Sequence, residues 1–179
     1  KTVFPSGLTG TRISTAMKMI AVAPTLGLKR QIFFIQLGGY DLHGGQKDGH
    51  GPLLTELNAA LKSIYDATVE LGAENEVTTF TASDFGRSYI PNAGGTDHGW
   101  GNHHFIVGAA VKGGEFYGQM PSLAIGANDD TGRGRWLPST SVDEYNATLA
   151  TWFGVSAGNL PVVLPNIGRF AKPNLGFMS

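Results

Sequence analysis

Residues 31–39 read QIFFIQLGG, a continuous run of branched and aromatic residues closed by two glycines, and its reading decides the fold. The run lacks the polar alternation of a half-solvated strand and fits a strand covered on both faces, as in a parallel sheet layered between helices. From Pro52 to Leu71, the residues Leu53, Leu57, Leu61, Ile64, Thr68 and Leu71 recur every three or four positions. With Pro52 at a first-turn position and Gly72 as the stop, this spacing predicts a long amphipathic helix. EVTTFTAS (76–83) then reads as a second strand. A strand, a helix and a strand joined by a crossover of this length predict parallel pairing. The expected fold class is therefore α/β, a mostly parallel sheet flanked by helices.

The remaining segments extend this frame. TRISTAMKMIA (11–21) sets Ile13, Met17 and Ile20 at helical spacing before Pro24 stops it. HFIVGAAV (104–111) reads as a third strand, and EFYGQMPSLAIG (115–126) as short extended pieces forming a hairpin or an edge. STSVDEYNATLATWFGV (139–155) carries a capping box, Ser141 with Glu144 three residues on, and an apolar stripe that predicts a closing helix. The organisation expected is one α/β domain, or the C-terminal part of a larger one. A helical lead-in covers 1–30, a core with the candidate metal site 31–112, and hairpin, closing helix and tail 113–179.

Composition excludes several function classes. A length of 179 residues with 41% hydrophobic content suits one ordinary core. A formal net charge of -1, with no run of Lys and Arg, argues against nucleic acid and anionic membrane surfaces. No apolar stretch approaches the roughly 20 residues of a membrane span, and the first residues lack a signal-peptide pattern. The absence of cysteine leaves carboxylate, imidazole and hydroxyl groups as the metal ligands on offer. The sequence opens at Lys1 without a methionine, and a processed or partial chain is expected.

In an open α/β sheet, functional groups collect beyond the carboxyl ends of the strands. Here GGYDLHGGQ (38–46) presents Asp41 and His43, SDFGR (83–87) presents Asp84 and Arg87, and GGTDHGWGNHHF (94–105) presents Asp97 and His98. Residues i and i+2 of an extended stretch point the same way, so Asp41 and His43 are expected to face one ion while Leu42 packs beneath. Carboxylate with imidazole suits zinc first, with manganese, magnesium, iron or calcium as alternatives. Two ions roughly 3.5–4 Å apart would clamp the oxygens of a phosphate or sulfate ester, with Arg87 forked onto the remaining oxygens as a substrate-binding group. Bland readings stand beside these. Asp41 suits an Asx turn, and SDFGR suits a helix N-cap with a surface arginine. Asp129 and Asp130 in GANDDTGRGRW suit a solvated loop better than a calcium site, and His50 reads as structural or solvent-facing. His103 and His104 adjoin a strand and face opposite sides of it, so that at most one reaches the rim, with His104 the outside candidate. A carbohydrate platform of Trp100, Trp136 and Trp152 is disfavoured because Trp152 falls on the apolar stripe of the closing helix.

Taken in order, GGYDLHGGQ, NEVTTFTASDFGRS, GTDHGWGNHHFIVGAAVKGG and the closing helix resemble the C-terminal half of an uncharacterised family of exported bacterial proteins, of the domain of unknown function 1501 type. That family is similar to the alkaline phosphatase and sulfatase superfamily and often carries twin-arginine signals. The resemblance implies an alkaline-phosphatase-like fold, export to the periplasm or beyond, and a metal-dependent hydrolase acting on a small anionic ester. Asp41 and His43 resemble the superfamily's first Asp and His pair at a narrower spacing. Asp84 resembles the aspartate of its SDHG strand end, with Phe85 where a histidine is usual, and His98 its last metal histidine. Asp97 is a second-tier ligand or the orienter of a histidine. The superfamily's nucleophile comes from the N-terminal half of its fold, so a missing half or another chain is expected to cover the sheet. The alternative is a non-catalytic exported or surface-associated scaffold that keeps the fold and at most one structural ion.

Overall fold

A computed structural model describes all 179 residues, Lys1–Ser179. Two compact units are present, one of Lys1–Thr81, Pro91–Asp97 and Ile106–Ala109, the other of Ala82–Ile90, His98–Phe105 and Ala110–Ser179.

The first unit is built on two helices, α1 (Gly7–Val22) and α2 (Gln46–Leu71). Ile13, Ala16 and Met17 of α1 are buried with Ala60 and Ala67 of α2, and Phe4, Ile20, Ile35 and Ile64 pack around them. The contact face of α2 is thus a stripe of small residues, Ala60, Ser63 and Ala67, flanked by the expected leucines, of which Leu71 stays exposed. Small side chains let the two helix backbones approach, and larger α1 residues fill the gap between them. Thr9 of α1 donates its hydroxyl to Glu56 Oε1 of α2 at 2.6 Å, a polar staple at the edge of this contact. The helix α2 starts six residues before Pro52, which therefore lies inside it rather than in its first turn. Gly45, at φ 61°, turns the chain into the helix, and the Gln46 N–H, which has no partner within a helix start, donates to Gly94 O at 3.1 Å.

The strands depart from expectation. Thr79–Phe80 (β1) pairs antiparallel with Ile106–Val107 (β4), and Gly86–Arg87 (β2) pairs antiparallel with His98–Gly99 (β3). The molecule has four α-helices and two such two-stranded pairs, not a mostly parallel sheet flanked by helices, and no alkaline-phosphatase-like fold is seen. QIFFIQLGG forms no strand: Ile32 is 80% exposed and Phe34 87%. A strand exists only by pairing, and the cross-chain bond to this run comes from a side chain, Arg12 Nη1 to Gln36 O at 2.8 Å. The runs 76–83 and 104–111 pair with each other, antiparallel and over two residues each, while 31–39, the partner that the expected parallel crossover required, forms no strand.

The second unit centres on Phe177, fully buried, with Tyr145, Ala147, Thr148 and Leu149 of helix α3 (Val142–Phe153) also buried. The chain end is held to it by Lys112 N–H to Phe177 O, Ser179 N–H to Ala110 O, and Leu175 N–H to Thr148 Oγ1. The rings of Tyr145 and Tyr117 stand 5.8 and 5.7 Å from that of Phe177. The capping box forms as the sequence predicts, with Ser141 Oγ accepting from Glu144 N–H and the Glu144 carboxylate accepting from Ser141 N–H. A short helix α4 (Leu160–Val163) follows. The Asp130 carboxylate gathers N–H groups of Gly126, Gly132, Gly134 and Arg135, which hold its pKa below the usual carboxylate value and fix Arg133 at φ 63°. The acidic pair in this loop thus organises the backbone around it. No helix is long and apolar enough to cross a membrane.

Two outcomes follow from this packing. Ser141→Ala removes the cap acceptor and lowers stability by about 1 kcal/mol, read as a lower denaturant midpoint with an unchanged slope. His104 is half-buried and stacked on the Tyr145 ring at 5.5 Å; burial, then the neighbouring His103, lowers its pKa. The fold therefore favours the neutral ring, and this contribution is complete above the unfolded value of about 6.5 and is lost as pH falls below it. The melting temperature should drop less between pH 7 and 5 in His104→Phe, which keeps the stacked ring, than in the parent.

Candidate metal centre

The site begins with a turn. Leu42 N–H donates to Tyr40 O and His43 N–H to Asp41 O, two successive three-residue turns that keep the chain drawn out. Asp41 and His43 are consequently both exposed while Leu42 is half-buried, its Cδ2 against Gly49 of α2. The i, i+2 arrangement read from the sequence is thus formed by turns rather than by the end of a strand.

The 92–97 loop is laid against this turn. Thr96 N–H donates to Leu42 O, Gln46 N–H to Gly94 O, and Thr96 Oγ1 to Gln46 Oε1 at 2.8 Å. Gly95 is buried where a Cβ would strike Leu42 O and lie 2.7 Å from the His43 carbonyl carbon. Only glycine lets the two backbones come this close. The result places Asp97 beside His43. His43 Nε2 stands 3.1 Å from Asp41 Oδ1, and its other nitrogen, Nδ1, 3.7 Å from Asp97 Oδ1.

His98 follows Asp97 directly in the chain and belongs to the second unit. Within the first unit Asp41 and His43 each offer one ligand atom, 3.1 Å apart. With metal bonds of about 2.0–2.1 Å, adjacent ligand atoms stand about 2.9 Å apart in an octahedron and about 3.3 Å apart in a tetrahedron. The Asp41 to His43 spacing falls between these values. Asp41 and His43 are both exposed, which leaves room for further ligands.

Phe85 and Arg87 have distinct places around His98. Arg87 is the cross-strand partner of His98 in the β2–β3 pair. The Phe85 ring stacks on the His98 ring at 3.9 Å and 21°, and the Arg87 guanidinium lies 6.0 Å from the Phe85 centroid. Phe85, which stands where the resemblance places a histidine, thereby fixes the plane of an imidazole. Within the first unit the structure brings together Asp41 and His43 and adds Asp97 on the far side of His43; Asp84, which is exposed, Arg87 and His98 belong to the second unit. Trp100 Nε1 donates to Thr131 Oγ1, and His104 sits on Tyr145.

Two contributors escape the sequence reading. Asn92 donates Nδ2 to Asp97 Oδ1 at 3.0 Å while its Oδ1 accepts from Gly94 and Gly95 N–H. The signal for it is the Asn-x-Gly-Gly composition of a turn closed by a side-chain amide. Phe85 as a stacking partner had no signal, because stacking depends on which residue the β2–β3 register sets nearby.

The closeness of Gly95 to the 42–44 turn yields a direct outcome. Gly95→Ala should lower the melting temperature by the equivalent of about 1–3 kcal/mol, because the added methyl has backbone on its path, and should separate Asp97 from His43. Gly44→Ala, where a Cβ meets nothing within 4 Å, serves as the matched control and should melt like the parent.

No curated protein and no solved structure matches the chain. The sequence matches the family described as Protein of unknown function (DUF1501) over residues 10–155, most of its 179 residues. With the blocks GGYDLHGGQ, SDFGR and GTDHGWGNHHF all inside the matched span, the chain belongs to the DUF1501 family.

Proposed function

We propose that Asp41 and His43 bind one divalent transition-metal ion, zinc first, with His98 the further imidazole that the family resemblance implies, and that the centre serves a hydrolase-like activity on a phosphate or sulfate ester. The observation that carries this reading is the 3.1 Å between Asp41 Oδ1 and His43 Nε2, the spacing of two ligands on one ion. Two imidazoles and one carboxylate form the donor set of many hydrolytic zinc sites, and the same set takes iron(II); calcium and magnesium prefer oxygen ligands throughout. When bound, such an ion acts as a Lewis acid on an ester oxygen and activates water. The chain's own groups supply the rest. His98 is held in plane by Phe85, His43 is flanked by Asp97, and Arg87 offers a fork of N–H donors for the remaining ester oxygens.

The similarity to alkaline phosphatases and sulfatases enters this reading through ligand motifs and not through the fold, and activity follows from a site rather than from a scaffold. Export to the periplasm or beyond belongs to the same proposal and rests on the family resemblance. The second reading, a non-catalytic scaffold with one structural ion, is favoured by Phe85, which stands where the resemblance places a metal-binding histidine.

Metal analysis of the purified protein, followed by p-nitrophenyl phosphate and p-nitrophenyl sulfate assays with and without chelator, tests both. About one equivalent of zinc or iron is expected, with turnover lost on chelation and in His43→Ala and His98→Ala. A tightly held ion without turnover on either ester selects the scaffold. Protein that takes up no ion from a zinc or iron solution rejects the metal centre altogether.

A further inference from the structure

We infer that Asn92 is the positioning residue of the metal centre: it holds Asp97 against His43 Nδ1 and so makes Nε2 the nitrogen that meets the ion. The inference rests on the metal reading above and adds the group that aims the ligand. His43 has two nitrogens, and which one binds a metal is set by what the other one touches. Here Nδ1 is 3.7 Å from Asp97 Oδ1, and Nε2 is 3.1 Å from Asp41 Oδ1. Asp97 can keep one oxygen beside Nδ1 only if its carboxylate is prevented from turning. That constraint comes from Asn92 Nδ2, which donates to the same Oδ1 at 3.0 Å.

Asn92 is itself held firmly. Its Oδ1 accepts from Gly94 N–H at 3.1 Å and from Gly95 N–H at 2.7 Å, and its own N–H donates to Gly95 O at 2.9 Å. Gly95 in turn sits in backbone contact with the 42–44 turn that carries His43. One amide therefore uses its oxygen to close the loop and its nitrogen to orient the carboxylate. The two tasks are separable by substitution: Asn92→Asp keeps an oxygen for Gly94 and Gly95 and removes the donor to Asp97.

Cobalt(II) is the probe, because its visible spectrum reports ligand geometry and its affinity is read by titration of the full chain, with zinc displacement as a check. Asn92→Asp should weaken cobalt binding by about 10–100-fold and alter the visible bands, which is the usual cost of losing such a supporting partner. In a background of Asp97→Ala the same substitution should cost little more, because Asn92 acts through Asp97. Should Asn92→Asp melt well below the parent without metal, Asn92→Ser, which keeps a short oxygen but is too short to reach Asp97, replaces it in the cycle. Wild-type cobalt affinity and spectrum in these variants, or a loss that adds in full to that of Asp97→Ala, overturns the role of Asn92 while leaving the metal centre standing. Failure of the parent chain to bind cobalt or zinc overturns both.

Discussion

The candidate site depends on the close backbone contact between the 92–97 loop and the turn at Leu42–Gly45. Three hydrogen bonds join them, Thr96 to Leu42, Gln46 to Gly94, and Thr96 to Gln46 through side chains, and the absence of a side chain at Gly95 permits the approach. Each bond contributes on the order of 1 kcal/mol, so the contact is modest in energy. Its consequence is geometric. It brings together residues more than fifty positions apart in the chain and sets Asp97 next to His43. The loop also supplies the Gly94 carbonyl to a helix N–H that would otherwise lack a partner, so the start of α2 and the candidate site are fixed by one arrangement.

Elements whose cause is local could be read from the sequence. The helices have their signals within a few residues: the capping box of Ser141 and Glu144, the stop at Gly72 in the left-handed region, the apolar spacing of Ile13, Met17 and Ile20. Even there, the face of α2 that packs on α1 was hidden behind its leucines, since hydrophobic periodicity marks large residues and the contact uses Ala60, Ser63 and Ala67. The strands have no such local cause. A run such as QIFFIQLGG states a readiness to pair, and its partner and direction lie elsewhere in the chain. Thr79–Phe80 finds Ile106–Val107 running the opposite way, and the α/β reading fails at that point.

The facing of Asp41 and His43 was more legible than the fold that carries it. Asp41 and His43 are two residues apart, so their common direction follows from any drawn-out backbone, whether strand or turn; the strand expectation was wrong and the side chains still face together. His98 adjoins Asp97, and once either is placed the other is confined to its neighbourhood. Asp84 had no such tie. Its assignment leaned on a parallel strand end, and in the antiparallel β2–β3 pair it is Arg87 that lies opposite His98 while Asp84 is exposed.

Phe85 shows how a residue can be unreadable as a ligand and still set the plane of a candidate one. An imidazole needs its lone pair aimed within narrow limits, and a flat ring stacked at 3.9 Å restricts its rotation without competing for the ion. The same ring gives the Arg87 guanidinium an aromatic surface at 6.0 Å, which favours a position near His98 over one extended into water. A phenylalanine in this place thus offers no ligand itself and restricts the imidazole beside it. In the centre proposed above, His98 would be an imidazole of fixed plane with a guanidinium on the neighbouring strand.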